Sequence, residues 1–63
     1  MSDAPNRLRA YRHAAGMTLA EVAAVLKVTE SAVSRHETGT RDIGVPTLRA
    51  YAKIYCVRVE DLW

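Results

Sequence analysis

One cysteine and no phenylalanine occur among 63 residues, with only two prolines and three glycines. The lone thiol, Cys56, cannot close an internal disulfide, which suits a reducing compartment. No stretch approaches the roughly 20 consecutive apolar residues of a membrane span, and the first residues carry no apolar signal core. A cytoplasmic protein without membrane attachment is therefore expected. No strand alternation, internal repeat, low-complexity tract or interdomain linker is visible. The charge excess is a formal +2, which permits a nucleic-acid partner without demanding one. What remains is an apolar, alanine-rich chain fit for one compact all-α domain, residues 1–63. A chain this short buries only about 60% of the surface its unfolded form exposes, so the core must be used fully.

Chemistry of the catalytic or metal-binding kind finds no footing. His13, His36 and Cys56 lack paired ligand spacing, and Cys56 reads as a small packed residue rather than a redox sensor. There is no nucleophile–base–orienter set and no phosphate-cradling glycine loop. No enzyme activity, metal, cofactor or small-molecule ligand is expected.

The informative stretch is 18–39. Leu19, Val22, Ala23 and Leu26 stand at i, i+3, i+4 and i+7, one apolar face of a helix. Thr18 and Glu21 form a capping-box start. After a short connection through Lys27 and Val28, Thr29 can cap a second helix that stops before Gly39. At about 100° per residue, Glu30, Ser31, Ser34, Arg35 and Thr38 fall within an arc of roughly 140°, and Ala32, Val33, His36 and Glu37 take the rest. The first set can exchange hydrogen bonds at a surface, and the second can face a core. Two short helices joined tightly, the second with a polar face, suggest a DNA-reading helix-turn-helix. An ordinary helical hairpin whose polar face meets water fits the same pattern.

The remaining chain fills in a five-helix plan. Residues 1–4 read as a short lead-in, with Asp3 a cap and Pro5 tolerable in a first turn. A first helix is expected over about 5–15, with Leu8, Tyr11 and Ala15 inward, Gly16 as left-handed stop and Met17 returning to the core. Thr40 to Gly44 is a loop carrying Arg41 and Asp42. A fourth helix starts near Gly44 or Val45, with Pro46 in its first turn and Leu48, Tyr51, Ala52 and Tyr55 inward. Cys56 and Val57 break the run, and residues 59–63 make a last short helical turn.

Five segments, in order and without a gap, resemble the phage repressor and Cro-type (XRE-like) helix-turn-helix family from about Asn6 to Trp63. They are Leu8-Arg9-x-Tyr11-Arg12; Gly16-Met17-Thr18; Glu21-Val22-Ala23; Val28-Thr29 with Val33-Ser34-Arg35-x-Glu37-x-Gly39; and Leu48-x-x-Tyr51-Ala52 leading to Val57-x-Val59-x-Asp61-Leu62-Trp63. The resemblance implies a repressor-like five-helix domain that docks its third helix in the major groove of double-stranded DNA, usually as a two-fold homodimer. It places Glu30, Ser31 and Arg35 where relatives contact base edges, with Ser34 alongside. It places Thr29 where a helix N-terminus holds a phosphate, and Thr40 and Arg41 in a loop that approaches neighbouring phosphates. Lys27 and Thr38 join these as phosphate candidates, and Arg7, Arg9 and Arg49 are read with them as phosphate partners or plain surface charges. Arg12 and Glu37 match an internal salt bridge of relatives. Four positions depart from the pattern: Leu19 where many relatives carry Gln, Lys27 and Cys56 where they carry Gly, and His36 where they carry a large apolar residue.

Several residues keep two readings. Arg35 can pair with guanine O6 and N7, or meet a phosphate, or meet water. Glu30 can accept from a cytosine amino group, or simply complement the positive end of its helix. Tyr55, Val59, Leu62 and Trp63 can form a dimer contact or close the monomer's own core. The whole chain reads as a minimal transcription regulator, a repressor acting through a two-fold operator. The other reading is a protein-interaction module of the same fold, an adaptor or antitoxin, favoured by Leu19 and Glu30.

Overall fold

The computed structural model describes residues 6–40 and 42–63. Four α-helices run Leu8–Ala14 (α1), Leu19–Leu26 (α2), Glu30–Thr38 (α3) and Val45–Tyr55 (α4), followed by a 3₁₀ turn at Val59–Leu62. Among the described residues there is no strand, and no helix is long and apolar enough to cross a membrane. The expected fifth helix is thus a correction: Asp61 N–H bonds to Arg58 C=O at 2.9 Å. Four residues close one i→i+3 turn and do not reach the i→i+4 ladder of an α-helix.

A left-handed residue stands within two positions of the end of each α-helix. Gly16 (φ +67°) and Gly39 (φ +76°) are glycines, whereas Lys27 (φ 60°) and Cys56 (φ 56°) are not. Behind α1, Gly16 N–H bonds to His13 C=O and Met17 N–H to Arg12 C=O, the paired closure that satisfies the last free carbonyls of a helix. The same pair of bonds recurs at Lys27–Val28 and at Cys56–Val57. The starts are equally local. Thr18 and Glu21 exchange side-chain and backbone bonds at 3.1 and 2.8 Å, and Thr29 Oγ1 accepts from Ala32 N–H at 3.1 Å.

The first helix differs from expectation. It begins at Leu8, and Ala15 is exposed rather than inward; the Asp3 and Pro5 readings lie outside the described residues. Its start is held from a distance instead. Asn6 is buried, and its Oδ1 accepts from Leu8 N–H while its Nδ2 donates to His36 C=O at 2.9 Å. Arg7 N–H bonds to Leu62 C=O at 2.7 Å. Two free donors of the helix end are therefore satisfied, one by the neighbouring Asn6 side chain and one by the distant Leu62 carbonyl.

Leu8, Val22, Ala23, Val33, Tyr51, Ala52, Tyr55 and Leu62 form the core, with Tyr11, Met17, Leu19 and Leu48 packed against it. In place of phenylalanine, Tyr11, Tyr55 and Tyr51 stack in a row with ring centroids 6.1 Å apart at each step. Burial pushes the Tyr55 phenol up to about 12, helped by the nearby Glu37 charge and opposed by Arg12. Tyr51 is raised as well, by burial first and then by Tyr55 and Glu37. The Tyr55 hydroxyl has no hydrogen-bond partner among the described residues. Cys56, expected to pack, is exposed at the end of α4.

Candidate nucleic-acid interface

The helix-turn-helix consists of α2, the turn through Lys27 and Val28, and α3. The division of α3 into two faces follows its sequence. Val33 is 0%, Glu37 3%, His36 6% and Ala32 7% exposed, while Glu30, Ser31, Arg35 and Thr38 are exposed and Ser34 is half-buried.

Side-chain hydrogen bonds to three other parts of the chain fix the inner face. Arg12 Nε donates to Glu37 Oε2 at 2.7 Å and Arg12 Nη2 to Glu37 Oε1 at 3.2 Å, a two-pronged pair. Arg9 adds a longer contact to Glu37 at 3.4 Å from a largely exposed side chain. Arg12 Nη1 also donates to Met17 C=O. The hydrogen bond to Glu37 raises the guanidinium above its ordinary pKa and outweighs the opposing effect of burial. One residue earlier, His36 Nδ1 lies 2.9 Å from Tyr51 Oη, and the two rings meet edge to face. His36 C=O accepts from Asn6. α3 is thereby tied to α1, α4 and the segment before α1. A surface that must present side chains in register requires such anchoring.

The outer face carries the base-contact candidates Glu30, Ser31, Ser34 and Arg35 within the first two turns of α3. Phosphate candidates sit at both ends of α3. Lys27 and Thr29 precede it, exposed, although the Thr29 hydroxyl also serves its own helix start. Thr38 and Thr40 follow it, their hydroxyls 3.2 Å apart, with Thr38 Oγ1 also donating to Arg35 C=O. Arg41 lies outside the described residues. Leu19 packs against the core, so its side chain is an apolar plug at the start of α2.

The four residues read as a dimer contact do not form one surface. Tyr55 and Leu62 are spent on the chain's own core, Val59 is half-buried, and Trp63 is 55% exposed. Sequence reasoning missed Asn6, and it read Arg9 as a phosphate partner without its contact to Glu37. Asn6 has a legible part, since asparagine is favoured beside helix starts, but its bond to a carbonyl 30 residues away is a product of tertiary packing.

Residues 6–62 match the helix-turn-helix domain family. The chain belongs to that family, within the Cro/XRE-type helix-turn-helix superfamily. A search of curated proteins finds no match. Membership and the placement of α3 together point to a DNA-binding regulator.

Proposed function

We propose that this domain is a sequence-specific regulator of transcription, a repressor that binds double-stranded DNA as a two-fold homodimer and reads the major groove with α3. The observation that carries the reading is the asymmetry of α3: its inner polar groups are all committed within the fold, while Glu30, Ser31 and Arg35 face outward. Arg35 supplies the planar donor fork that matches guanine, a pairing that discriminates by about 1–3 kcal/mol. Glu30 rejects bases other than cytosine at its position, because an unpaired carboxylate against DNA is unfavourable. Lys27, Thr29, Thr38, Thr40 and Arg41 set the register through phosphates, which carry no sequence information. Repression follows from occupying the site that polymerase needs.

Selection of bound duplexes from a random pool tests the reading. Enrichment of one two-fold sequence is expected, with the preference at one base pair lost in Arg35→Ala. Affinity should fall with salt at a log–log slope of about −0.9 per phosphate neutralised. Recovery of no preferred sequence, with a salt-insensitive protein partner instead, would establish the adaptor or antitoxin reading.

A further inference from the structure

Four large apolar side chains are exposed among the described residues: Val25 (58%), Val28 (38%), Val45 (60%) and Trp63 (55%). Val25 and Val28 line one open groove between the end of α2 and the length of α4, together with Leu26, Ala50, Lys53 and Ile54. Val45 stands on the first turn of α4, beside Pro46, which also lines it. The groove has a volume of about 520 Å³, within the range of about 300–1,000 Å³ that accommodates sizeable apolar groups. Its rim is basic: Lys53 borders it, and Lys27 lies between two groove residues in sequence, exposed.

Trp63 has the opposite character. It follows a turn carrying the exposed Glu60 and the half-buried Asp61, the latter paired with Arg58 at 3.7 Å. We propose that the groove between α2 and α4 receives Trp63 of a second copy of this chain, reciprocally, with Lys53 of one copy facing Glu60 of the other. Each chain presents this groove and a single tryptophan, so a two-fold exchange fills both grooves and leaves no open end. Without reciprocity the same contact would propagate as a filament. A flat aromatic in an apolar pocket, ringed by opposite charge, is the arrangement that concentrates binding energy at protein interfaces. The inference rests on the dimeric reading and gives it a receiving surface, which the buried Tyr55 and Leu62 cannot provide.

Trp63 is the sole tryptophan, so its fluorescence reports its own burial. The full chain, without DNA, is followed by emission wavelength and by sedimentation across a dilution series. Blue-shifted emission at high concentration, moving to the red as the mass falls from dimer to monomer, is expected. Val25→Asp should weaken association at least about tenfold and leave Trp63 red-shifted, as should Lys53→Glu. Adding Glu60→Lys to Lys53→Glu should restore dimers. Circular dichroism confirms that each variant is folded, and the charge swap guards against a variant that is not. A mixture of Trp63→Ala with Val25→Asp should recover mixed dimers through the one contact still available. Monomers at every concentration, masses growing beyond a dimer, or association that ignores Val25 and Lys53 would each overturn the proposal. The assay contains no DNA, so such a failure leaves the reading of α3 to the pool selection.

Discussion

The inward and outward faces of α3 are built from similar groups, a carboxylate and nitrogen donors with hydroxyls nearby, yet they stand in opposite conditions. Inward, the Glu37 side chain is 1% exposed and meets Arg12, itself 11% exposed, at 2.7 Å; His36 is held by Tyr51. Outward, Glu30 and Arg35 are exposed on the same nine-residue helix. A buried charge must be matched within the fold or it costs several kcal/mol. An exposed one is solvated at little cost and stays available to a partner. The inner face should therefore register in stability and the outer face in recognition, with little crossover.

The largest effect should come from breaking the inner pair on one side. Glu37→Ala leaves the Arg12 guanidinium largely buried with only the Met17 carbonyl and water, and a loss of about 3–5 kcal/mol is expected. Small domains have little more than that in total, so urea titration should find the variant mostly unfolded. Arg12→Met with Glu37→Leu together should cost less than Glu37→Ala alone, because neither leaves a charge behind. A double-mutant cycle without coupling would show that the pair is not what ties α1 to α3.

Arg35→Ala is the counterpart on the outer face. The urea midpoint should hold, since exposed substitutions usually stay within about 0.5 kcal/mol. Discrimination at one base pair should fall by about 1–3 kcal/mol, tenfold or more. A marked loss of stability would mean that Arg35 belongs to the scaffold and that the two faces are not separate.

The tyrosines sharpen the contrast within the core. Tyr51→Phe removes the bond to His36 and should cost about 1 kcal/mol, whereas Tyr55→Phe removes a hydroxyl with no partner among the described residues and should be close to neutral. Both phenols titrate above their ordinary value in the folded chain. For such an acid the unfolded chain loses its proton first. The stabilising contribution is thus complete below pH 10 and, for Tyr55, is lost as pH rises from 10 toward 12. Alkaline unfolding followed by circular dichroism should be less steep in Tyr55→Phe.

Local rules carried most of what the sequence disclosed. The capping box at Thr18, the cap at Thr29, the glycine stops at 16 and 39, and the apolar registers of α2 and α4 all depend on residues within one turn of each other. So did the division of α3. The Arg12–Glu37 pair was reached by resemblance, because no local rule links residues 25 apart. Illegible were the contacts that only the finished fold creates: Asn6 on the His36 carbonyl, and the Leu62 carbonyl on Arg7. The fifth helix was over-read, since large apolar residues near the end of the chain fit one turn as readily as a helix. Tyr55 and Leu62 could be assigned to core or partner equally well until their burial was known.

The smallest effect tests a local rule where the sequence breaks it. Lys27 and Cys56 hold left-handed backbone at φ 60° and 56° without being glycine, a conformation in which Cβ crowds the following carbonyl by about 1–2 kcal/mol. Part of any gain from glycine is offset, because a glycine has more freedom to lose on folding. A net gain of about 0.5–1 kcal/mol is expected for Lys27→Gly. In a domain of this size, that raises the melting temperature by a few degrees, at about 4–8 °C per kcal/mol. Cys56→Gly should move the same way, since its side chain is exposed and makes only a weak contact to Lys53 C=O at 3.8 Å. Ala24→Gly, one turn earlier on the exposed side of α2, should lower the midpoint by a similar amount, because there glycine replaces a good helix former. Opposite signs at positions 24 and 27 would separate strain at the turn from a general response to glycine. The same sign at both would mean that the turn into α3 carries no strain, and that lysine sits there as comfortably as the residue it replaces in relatives.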